Sequence, residues 1–268
     1  ALRAGGGSRR RAASAARAEA LPRSLKLHVY DHCPFCIRAE LVLGWLGVPY
    51  ERFVYNYGQG ADPSACGGTG YGPTEGPVTL TGKKMLPVLE GDGVPHPDAM
   101  RGLPESLEIC SYVAACAEGG QRVAPATGRG DLKDWIDRFS PVNSKLVRPR
   151  IIKVPIQDWA DPRDVEYARW KYTAKQGFDY AAAEAATPQL LEAMSALLKE
   201  LPPMLRGTTA DGVPCLNAWG LSVDDVVLLP MLRNITCVKG IDWPLEVRSY
   251  VEKACGKAGV GLYTEYAC

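Results

Sequence analysis

The feature that most constrains this chain is the cysteine pair in Asp31-His32-Cys33-Pro34-Phe35-Cys36. An apolar run typical of a strand, residues 25–30, precedes the pair, and a helical pattern over residues 37–46 follows it. The N-terminus of a helix offers unpaired N–H groups and a partial positive charge, both of which favour a thiolate over a thiol. The sequence therefore predicts a redox-active pair, with Cys33 as the nucleophile and Cys36 as the resolving thiol.

The two-residue spacing brings the two sulfurs within reach of each other. Pro34 is tolerated in the first helical turn, and Cys36 then follows Cys33 by about one turn. The competing interpretation is half of a metal or iron–sulfur site, which needs further cysteine or histidine ligands. The chain has three histidines and no second cysteine pair with this spacing, so we expect redox chemistry and no metal.

Composition places the chain among ordinary globular proteins. It has 268 residues, 46% of them hydrophobic and 23% charged, which is enough for one large or two small domains. The net charge of +1 gives no basic field, so no nucleic-acid partner is expected. No apolar run approaches the ~18 residues of a membrane span. The nine cysteines are thinly spread, which favours free thiols in a reducing compartment over a disulfide framework.

Residues 1–24 differ from the rest of the chain. They are rich in arginine, alanine and serine, and Glu19 is their only acidic residue. This composition predicts an organellar transit-like segment, for a chloroplast in preference to a mitochondrion. The alternative is a basic disordered tail.

The pattern beyond residue 24 predicts two domains. Strand and helix signals alternate over residues 25–118, as in an α/β thioredoxin-like domain built around a central sheet. A linker at residues 119–130 then leads to residues 131–268, where strand signals fade and an all-helical domain is expected. Glycine and proline are frequent in residues 56–82, which predicts a flexible insertion that contains Cys66. A regulatory thiol and a docking loop are alternative interpretations of that insertion.

Two further segments complete the predicted site. Pro87 begins a strand, and thioredoxin-like folds place a cis-proline opposite the cysteines, so that the backbone of Leu86 faces a bound peptide. Pro104-Glu105-Ser106 precedes a helix that Ser106 is expected to cap. The N–H groups at the start of that helix suit a carboxylate, and the Glu105 carboxylate suits an ammonium, so together they suit a zwitterionic ligand group. A trans-proline and a plain helix cap are the ordinary alternatives.

Four blocks of the chain resemble the two-domain glutaredoxin of the bacterial glutaredoxin-2 type, which is similar in shape to a glutathione transferase. Three of them are residues 26–36, 82–89 and 103–106 with the following helix. The fourth, residues 221–244, is the most diagnostic because it lies far from the cysteines. The resemblance is weak across residues 145–216, and Phe35 replaces the tyrosine usual in this family.

The resemblance implies a glutathione-dependent thiol–disulfide oxidoreductase with glutathione as co-substrate and no tightly bound cofactor. The expected protein partners are glutathionylated or disulfide-bonded. Besides the catalytic Cys33 and Cys36, it implies a set of glutathione-binding residues: Pro34, Phe35, Leu86, Pro87, Glu105 and Ser106.

Other functions remain open at this point. A prostaglandin-synthase-like enzyme also uses Cys-Pro-Phe-Cys in a transferase-like fold, although its C-terminal signature differs. A glutathione transferase usually activates glutathione with serine or tyrosine, not with a nucleophilic cysteine. The non-enzymatic alternative is an assembly subunit of an organellar complex that docks through the insertion or the N-terminal tail.

Overall fold

The computed structural model describes residues 24–58, 70–117 and 123–268. The first domain contains strands β1 (Lys26–Val29), β2 (Glu51–Val54), β3 (Val88–Glu90) and β4 (Leu103–Pro104), and helices α1 (Pro34–Trp45), α2 (Val78–Thr81) and α3 (Ser106–Cys116). Its sheet has the order β2-β1-β3-β4. Strand β1 is parallel to β2 and antiparallel to β3, and β3 is antiparallel to β4. This is the expected α/β thioredoxin-like layer.

The second domain is mainly helical. Its helices are α4 (Gly130–Ile151), α5 (Pro162–Gln176), α6 (Tyr180–Ala185), α7 (Thr187–Lys199), α8 (Val223–Ile235) and α9 (Leu245–Ala258). A short 3₁₀ helix, Gln157–Trp159, lies between α4 and α5. The helix α8 begins with the backbone N–H of Ser222 donating to the Asp225 carboxylate at 2.8 Å, as in a capping box.

The expectation of an all-helical second domain needs one correction. Strands β5 (Gly207–Thr208) and β6 (Pro214–Cys215) form a small antiparallel ladder. Its turn is closed by Thr209 N donating to Val213 O at 2.8 Å. Strands of two residues are too short to produce an alternating apolar pattern, so the sequence carried no signal for them.

Helix α1 joins the two domains. It packs against α3 on the first-domain side and against α8 and α9 on the second-domain side. Most of its residues are buried, which explains why its sequence is apolar on nearly every face. At Gly44, an added Cβ would lie 2.2 Å from the carbonyl oxygen of Ala258, so glycine allows α1 to approach the end of α9 closely.

The structure describes residues 56–58 and 70–82 of the predicted insertion, residues 56–82. The C-terminal part of the insertion contains α2. Gly58 and Gly70 both approach the Tyr167 ring of α5, and Gly58 N donates to the Asp164 carboxylate at 2.6 Å. Gly58 and Gly70, the described residues on either side of residues 59–69, are therefore packed on the second domain. A count of glycines and prolines does not reveal such anchors.

Several expectations fall on other residues. Residues 1–23 of the transit-like segment, residues 59–69 with Cys66, and residues 118–122 at the start of the linker lie outside the described residues. Within the described ranges, no helix is both long and apolar enough to cross a bilayer. The same ranges hold no group of histidine, cysteine and carboxylate side chains arranged to bind a metal.

Candidate active site

The cysteine pair lies where β1 leads into α1. Cys33 is the N-cap residue of α1 and Pro34 is its first helical residue, as the spacing predicts. Cys33 is half-buried, whereas Cys36 is fully buried and its sulfur accepts a hydrogen bond from Tyr30 N at 3.4 Å. Phe35, between them, is 51% exposed. Only Cys33 of the two thiols is therefore accessible to a substrate.

The two thiols differ in acidity. A hydrogen bond with the Cys36 thiol lowers the pKa of Cys33 to about 7, with additional help from His32 and from the backbone N–H groups of Cys36 and Phe35, while burial opposes the change. Burial, followed by the neighbouring Cys33, raises the pKa of Cys36 well above its ordinary value. A substantial fraction of Cys33 is thus thiolate at neutral pH, and Cys36 stays protonated and donates to it.

The peptide bond between Leu86 and Pro87 is cis, in agreement with the sequence interpretation. Pro87 is buried at the start of β3, and Leu86 is half-buried and lines the same cleft as Cys33. Leu86 and Cys33 therefore lie on the same cleft.

Glu105 and Ser106 lie at the start of α3. Glu105, and not Ser106 as expected, is the N-cap residue, and its side chain accepts no capping hydrogen bond. Ser106 is buried as the first residue of the helix, while Glu105 is exposed. Glu105 has φ of +68°, an uncommon value for a residue other than glycine, and such strain concentrates at functional sites.

A cleft of about 410 Å³ lies between the two domains. Of the predicted site residues, Cys33, Pro34, Phe35 and Leu86 line it, and Cys36, Pro87, Glu105 and Ser106 do not. Sequence reasoning missed the opposite wall, which comes from α4, α5 and α8 of the second domain. Its residues are Asn143, Ser144, Val147, Arg148, Ile151, Lys171, Tyr172, Gln176 and Asn234.

The loop before Cys33 is held by a carboxylate of the second domain. Asp158 is fully buried in the 3₁₀ helix and accepts hydrogen bonds from the backbone N–H groups of Asp31 and His32, each at 2.9 Å. Nδ1 of His32 contacts the same carboxylate. The His32 ring is also packed against the rings of Trp159 and Tyr57, with centroids 4.7 and 4.8 Å away. These contacts leave the loop little freedom.

A buried arginine of α8 fixes the other side of this loop. Arg233 donates to the Asp31 backbone carbonyl at 2.8 Å and to its carboxylate at 2.7 Å, and Tyr263 donates to the same carboxylate at 2.5 Å. Burial alone would raise the pKa of Asp31, but Arg233, Tyr263 and Arg52 hold it well below its ordinary value. Arg233 lies within residues 221–244, so the most diagnostic block of the sequence holds the cysteine loop.

A lysine in the first-domain wall of the cleft is surrounded by aromatic rings. The Nζ atom of Lys84 lies 3.7, 4.3, 5.3 and 5.9 Å from the ring centroids of Tyr167, Tyr57, Tyr71 and Tyr30. That atom is buried and has no hydrogen-bond partner among the described residues. Burial, with a further contribution from Lys171, lowers the pKa of Lys84 to about 6.

Fold and site together define a two-domain thiol redox protein of glutathione-transferase-like architecture. Residues 131–267 match the family model of the glutaredoxin 2 C-terminal domain, and residues 32–116 match that of the glutathione S-transferase N-terminal domain. Since the first match covers half of the chain, the chain belongs to the glutaredoxin 2 family.

Similar proteins agree with this assignment. Glutaredoxin 2 of Escherichia coli strain K12 is 27% identical over 243 residues, which cover 91% of this chain and 100% of that protein. The crystal structure of glutaredoxin 2 from Salmonella typhimurium in complex with glutathione has a TM-score of 0.74 and 26% identity, covering 91% of this chain and 99% of that one. FzlA from C. crescentus, at 16% identity, 91% and 98% coverage and a TM-score of 0.53, shares the fold.

Proposed function

We propose that this protein is a glutaredoxin, a glutathione-dependent thiol–disulfide oxidoreductase with glutathione as co-substrate and no tightly bound cofactor. The observation that carries the proposal is the unequal chemistry of the two thiols. Cys33 faces the cleft with a pKa of about 7, whereas Cys36 is buried and protonated. The similarity to a glutaredoxin 2 that was crystallised with glutathione supports glutathione as the ligand.

The reaction proceeds by two thiol–disulfide exchanges. The Cys33 thiolate attacks the glutathione sulfur of a mixed disulfide, the S–S bond breaks, and the substrate leaves as a thiolate that takes a proton from water. A second glutathione thiolate then attacks the glutathionyl sulfur on Cys33, which releases glutathione disulfide and regenerates the Cys33 thiolate. In the dithiol route, Cys33 first forms a mixed disulfide with the protein substrate. Cys36 then loses its proton and attacks the Cys33 sulfur, the S–S bond of the mixed disulfide breaks, and an intramolecular disulfide forms while the substrate leaves as a thiolate that takes up a proton.

The glutathione-binding residues of this proposal are Pro34, Phe35, Leu86, Pro87, Glu105 and Ser106. The backbone of Leu86 is assigned to the cysteinyl part of glutathione, because Leu86 lines the cleft with Cys33 and precedes the cis-proline. The start of α3 is assigned to the γ-glutamyl group. An exposed carboxylate at Glu105, in a strained backbone conformation, and the first N–H groups of an 11-residue helix support that assignment.

The two cysteines are distinguished by single substitutions. Cys33→Ser abolishes reduction of a glutathione mixed disulfide, whereas Cys36→Ser retains much of this activity and loses reduction of protein disulfides. Cys36→Ala leaves no side-chain donor, unlike Cys36→Ser, and so removes the hydrogen bond that lowers the pKa of Cys33; in Cys36→Ala the alkylation rate of Cys33 by iodoacetamide should rise at higher pH than in the wild type.

The matched control is Cys110→Ser, since Cys110 is a buried thiol of α3 whose pKa is raised to about 12 by burial. This variant keeps both activities. Equal loss of mixed-disulfide reduction in the Cys33 and Cys36 variants would contradict the assignment of the nucleophile.

We also propose that the protein acts in an organelle, a chloroplast in preference to a mitochondrion, on glutathionylated or disulfide-bonded proteins there. The support is the arginine-, alanine- and serine-rich composition of residues 1–24. A fluorescent protein fused behind residues 1–24 should enter the organelle, and the same fusion with its arginines changed to glutamate should not. A non-catalytic role in an organellar complex predicts instead that the purified chain has no turnover and co-migrates with a large assembly.

A further inference from the structure

The wall of the cleft opposite the first domain is cationic. Arg148 of α4 and Lys171 of α5 line it. Lys84 lines the first-domain wall, but its pKa of about 6 leaves it largely neutral at pH 7. Apart from the Cys33 thiolate, the remaining lining residues are neutral or histidine, and none of the described residues that line the cleft is an aspartate or a glutamate. The cleft therefore has an excess of positive charge beside Cys33, although the whole chain is nearly neutral with a net charge of +1.

The two cations of the helical wall are held in place without carboxylate partners. Arg148 stacks on the rings of Tyr172 and Phe178, 4.5 and 4.8 Å from their centroids, and donates to the Gln176 side-chain oxygen at 2.7 Å. Lys171 donates to the Tyr57 hydroxyl at 2.8 Å. Neutral partners of this kind orient a cation but leave its charge uncompensated.

Cations elsewhere on the molecule are commonly paired. Arg138 binds Glu200 at 2.6 Å and Arg52 binds Glu40 at 2.9 Å, for example. None of the ion pairs in the described part of the chain involves Arg148, Lys171 or Lys84. Two cations without carboxylate partners therefore line the cleft that contains Cys33, and their charge suits an anionic group of a ligand.

From this juxtaposition we infer that the α4–α5 wall selects disulfides that carry a carboxylate on the part that is not glutathione. The inference rests on the proposed function and specifies its second substrate. With glutathione placed against Leu86 and the start of α3, the leaving part of the mixed disulfide lies on the far side of the glutathione sulfur from Cys33, in the cleft that Arg148 and Lys171 line. A carboxylate near the leaving sulfur would meet both cations there, and a cationic group would be repelled.

The test compares three mixed disulfides of glutathione that differ mainly in charge. The leaving thiols are mercaptoacetate, 2-mercaptoethanol and cysteamine, which are anionic, neutral and cationic. Each kcat/KM is divided by the rate constant for uncatalysed exchange of the same disulfide with dithiothreitol, which has no charged group besides its thiolate, and this removes the effect of the leaving thiol's own pKa. We expect the corrected values to fall in the order anionic, neutral, cationic, with roughly 3–10-fold between the first two at low salt, and to converge at high salt.

The variants Arg148→Gln and Lys171→Gln should each reduce the ratio of anionic to neutral substrate by several-fold. A loss of structure alone would lower both values and leave the ratio unchanged. The matched control is Lys175→Gln, because Lys175 also lies on α5 but stacks near Trp170, outside the cleft lining, and its loss should keep the wild-type ratio.

A second series identifies the source of the carboxylate. Glutathionylated peptides with glutamate beside the cysteine are compared with the same peptides carrying glutamine. If the anionic-to-neutral ratio is larger for the peptides than for the small disulfides, peptidic disulfides are the favoured source of the carboxylate, and the reverse result favours small disulfides. Equal corrected rates in both series, with a ratio that does not respond to Arg148→Gln, would overturn the inference and leave the proposed function standing. Absence of Cys33-dependent turnover of any of these disulfides would instead refute the proposed function.

Discussion

Replacement of Lys84 by methionine should stabilise this protein. Methionine keeps the length of the side chain and fills irregular apolar space, but it brings no charge into the four tyrosine rings. Since the pKa of Lys84 falls from 10.5 in an exposed chain to about 6 in the fold, unfolding takes up a proton at every pH between these values. Burial of this amine therefore destabilises the folded state at neutral pH.

The size of the effect follows from the two pKa values. Each pH unit below 10.5 adds about 1.36 kcal/mol to the cost of burying the neutral amine. At pH 7, removal of this cost can raise the free energy of unfolding by at most about 5 kcal/mol. The two nearest ring faces, those of Tyr167 and Tyr57, favour the ammonium by about 1–1.5 kcal/mol each and together reduce this gain by about 2–3 kcal/mol. We expect Lys84→Met to raise the free energy of unfolding at pH 7 by about 2–3 kcal/mol.

The sign of the pH dependence separates this effect from better packing. The folded pKa is depressed, so the wild type gains stability as pH rises from about 6 towards 10.5, and the variant lacks this gain. In urea unfolding, the advantage of Lys84→Met should be larger at pH 6.5 than at pH 9.5. The neighbouring exposed Lys83, replaced by methionine, is the control. A variant with the same pH dependence as the wild type, or with lower stability at pH 6.5, would refute the reasoning.

Three further substitutions test the site and the packing around it. Glu105→Ala should weaken glutathione use by roughly 1.5–3 kcal/mol through loss of a charge-assisted contact, measured as kcat/KM for glutathione with the Tm unchanged. An unaltered glutathione dependence would remove Glu105 from the site. Asp158→Asn should loosen the loop before Cys33 and lower kcat/KM by about 10-fold, since 1 Å of misplacement alone can cost more than this. A wild-type kcat/KM would show that the buried carboxylate is dispensable. Gly44→Ala should lower stability by about 1–3 kcal/mol because its Cβ would meet the backbone at the end of α9. Gly256→Ala, within α9 and facing open space, is its control and should be neutral or stabilising in thermal unfolding.

The parts of the fold that could be predicted from the sequence are those set by local pattern. The apolar periodicity of residues 106–116 corresponds to α3, and the strand and helix that flank the cysteines lie where alternation and Pro34 indicate. The proposed roles of Cys33 and Cys36 rest on their order at a helix start, and that position is local as well. The cis-proline was predictable only in combination with the cysteines, since the dipeptide Leu86-Pro87 alone does not specify its isomer.

The rest of the site depends on contacts between residues far apart in the chain. Asp158 meets His32 across 126 positions, and nothing near Asp158 in the sequence distinguishes it from an ordinary acidic residue. Lys84 follows another lysine, so the sequence would place it on a solvated surface. The four tyrosine rings that surround it come from parts of the chain far apart in sequence: Tyr30, Tyr57, Tyr71 and Tyr167. For Arg233 the signal was present, because it lies in the diagnostic block, but the block alone does not show which side chain holds the cysteine loop.

The second domain is part of the reactive site and not an attachment to it. Its Asp158 and Arg233 hold both sides of the loop that ends at Cys33, and its helices α4 and α5 form the wall that a substrate meets. These hydrogen bonds involve charged groups that are buried, so loss of one partner leaves the other without compensation, at a cost of several kcal/mol. Since these contacts join the cysteine loop to the second domain, whose helices α4 and α5 line the cleft, the position of Cys33 in the cleft depends on one interface. That dependence explains physically why the residues most diagnostic of this family lie in the helical domain, far along the chain from the cysteines they serve.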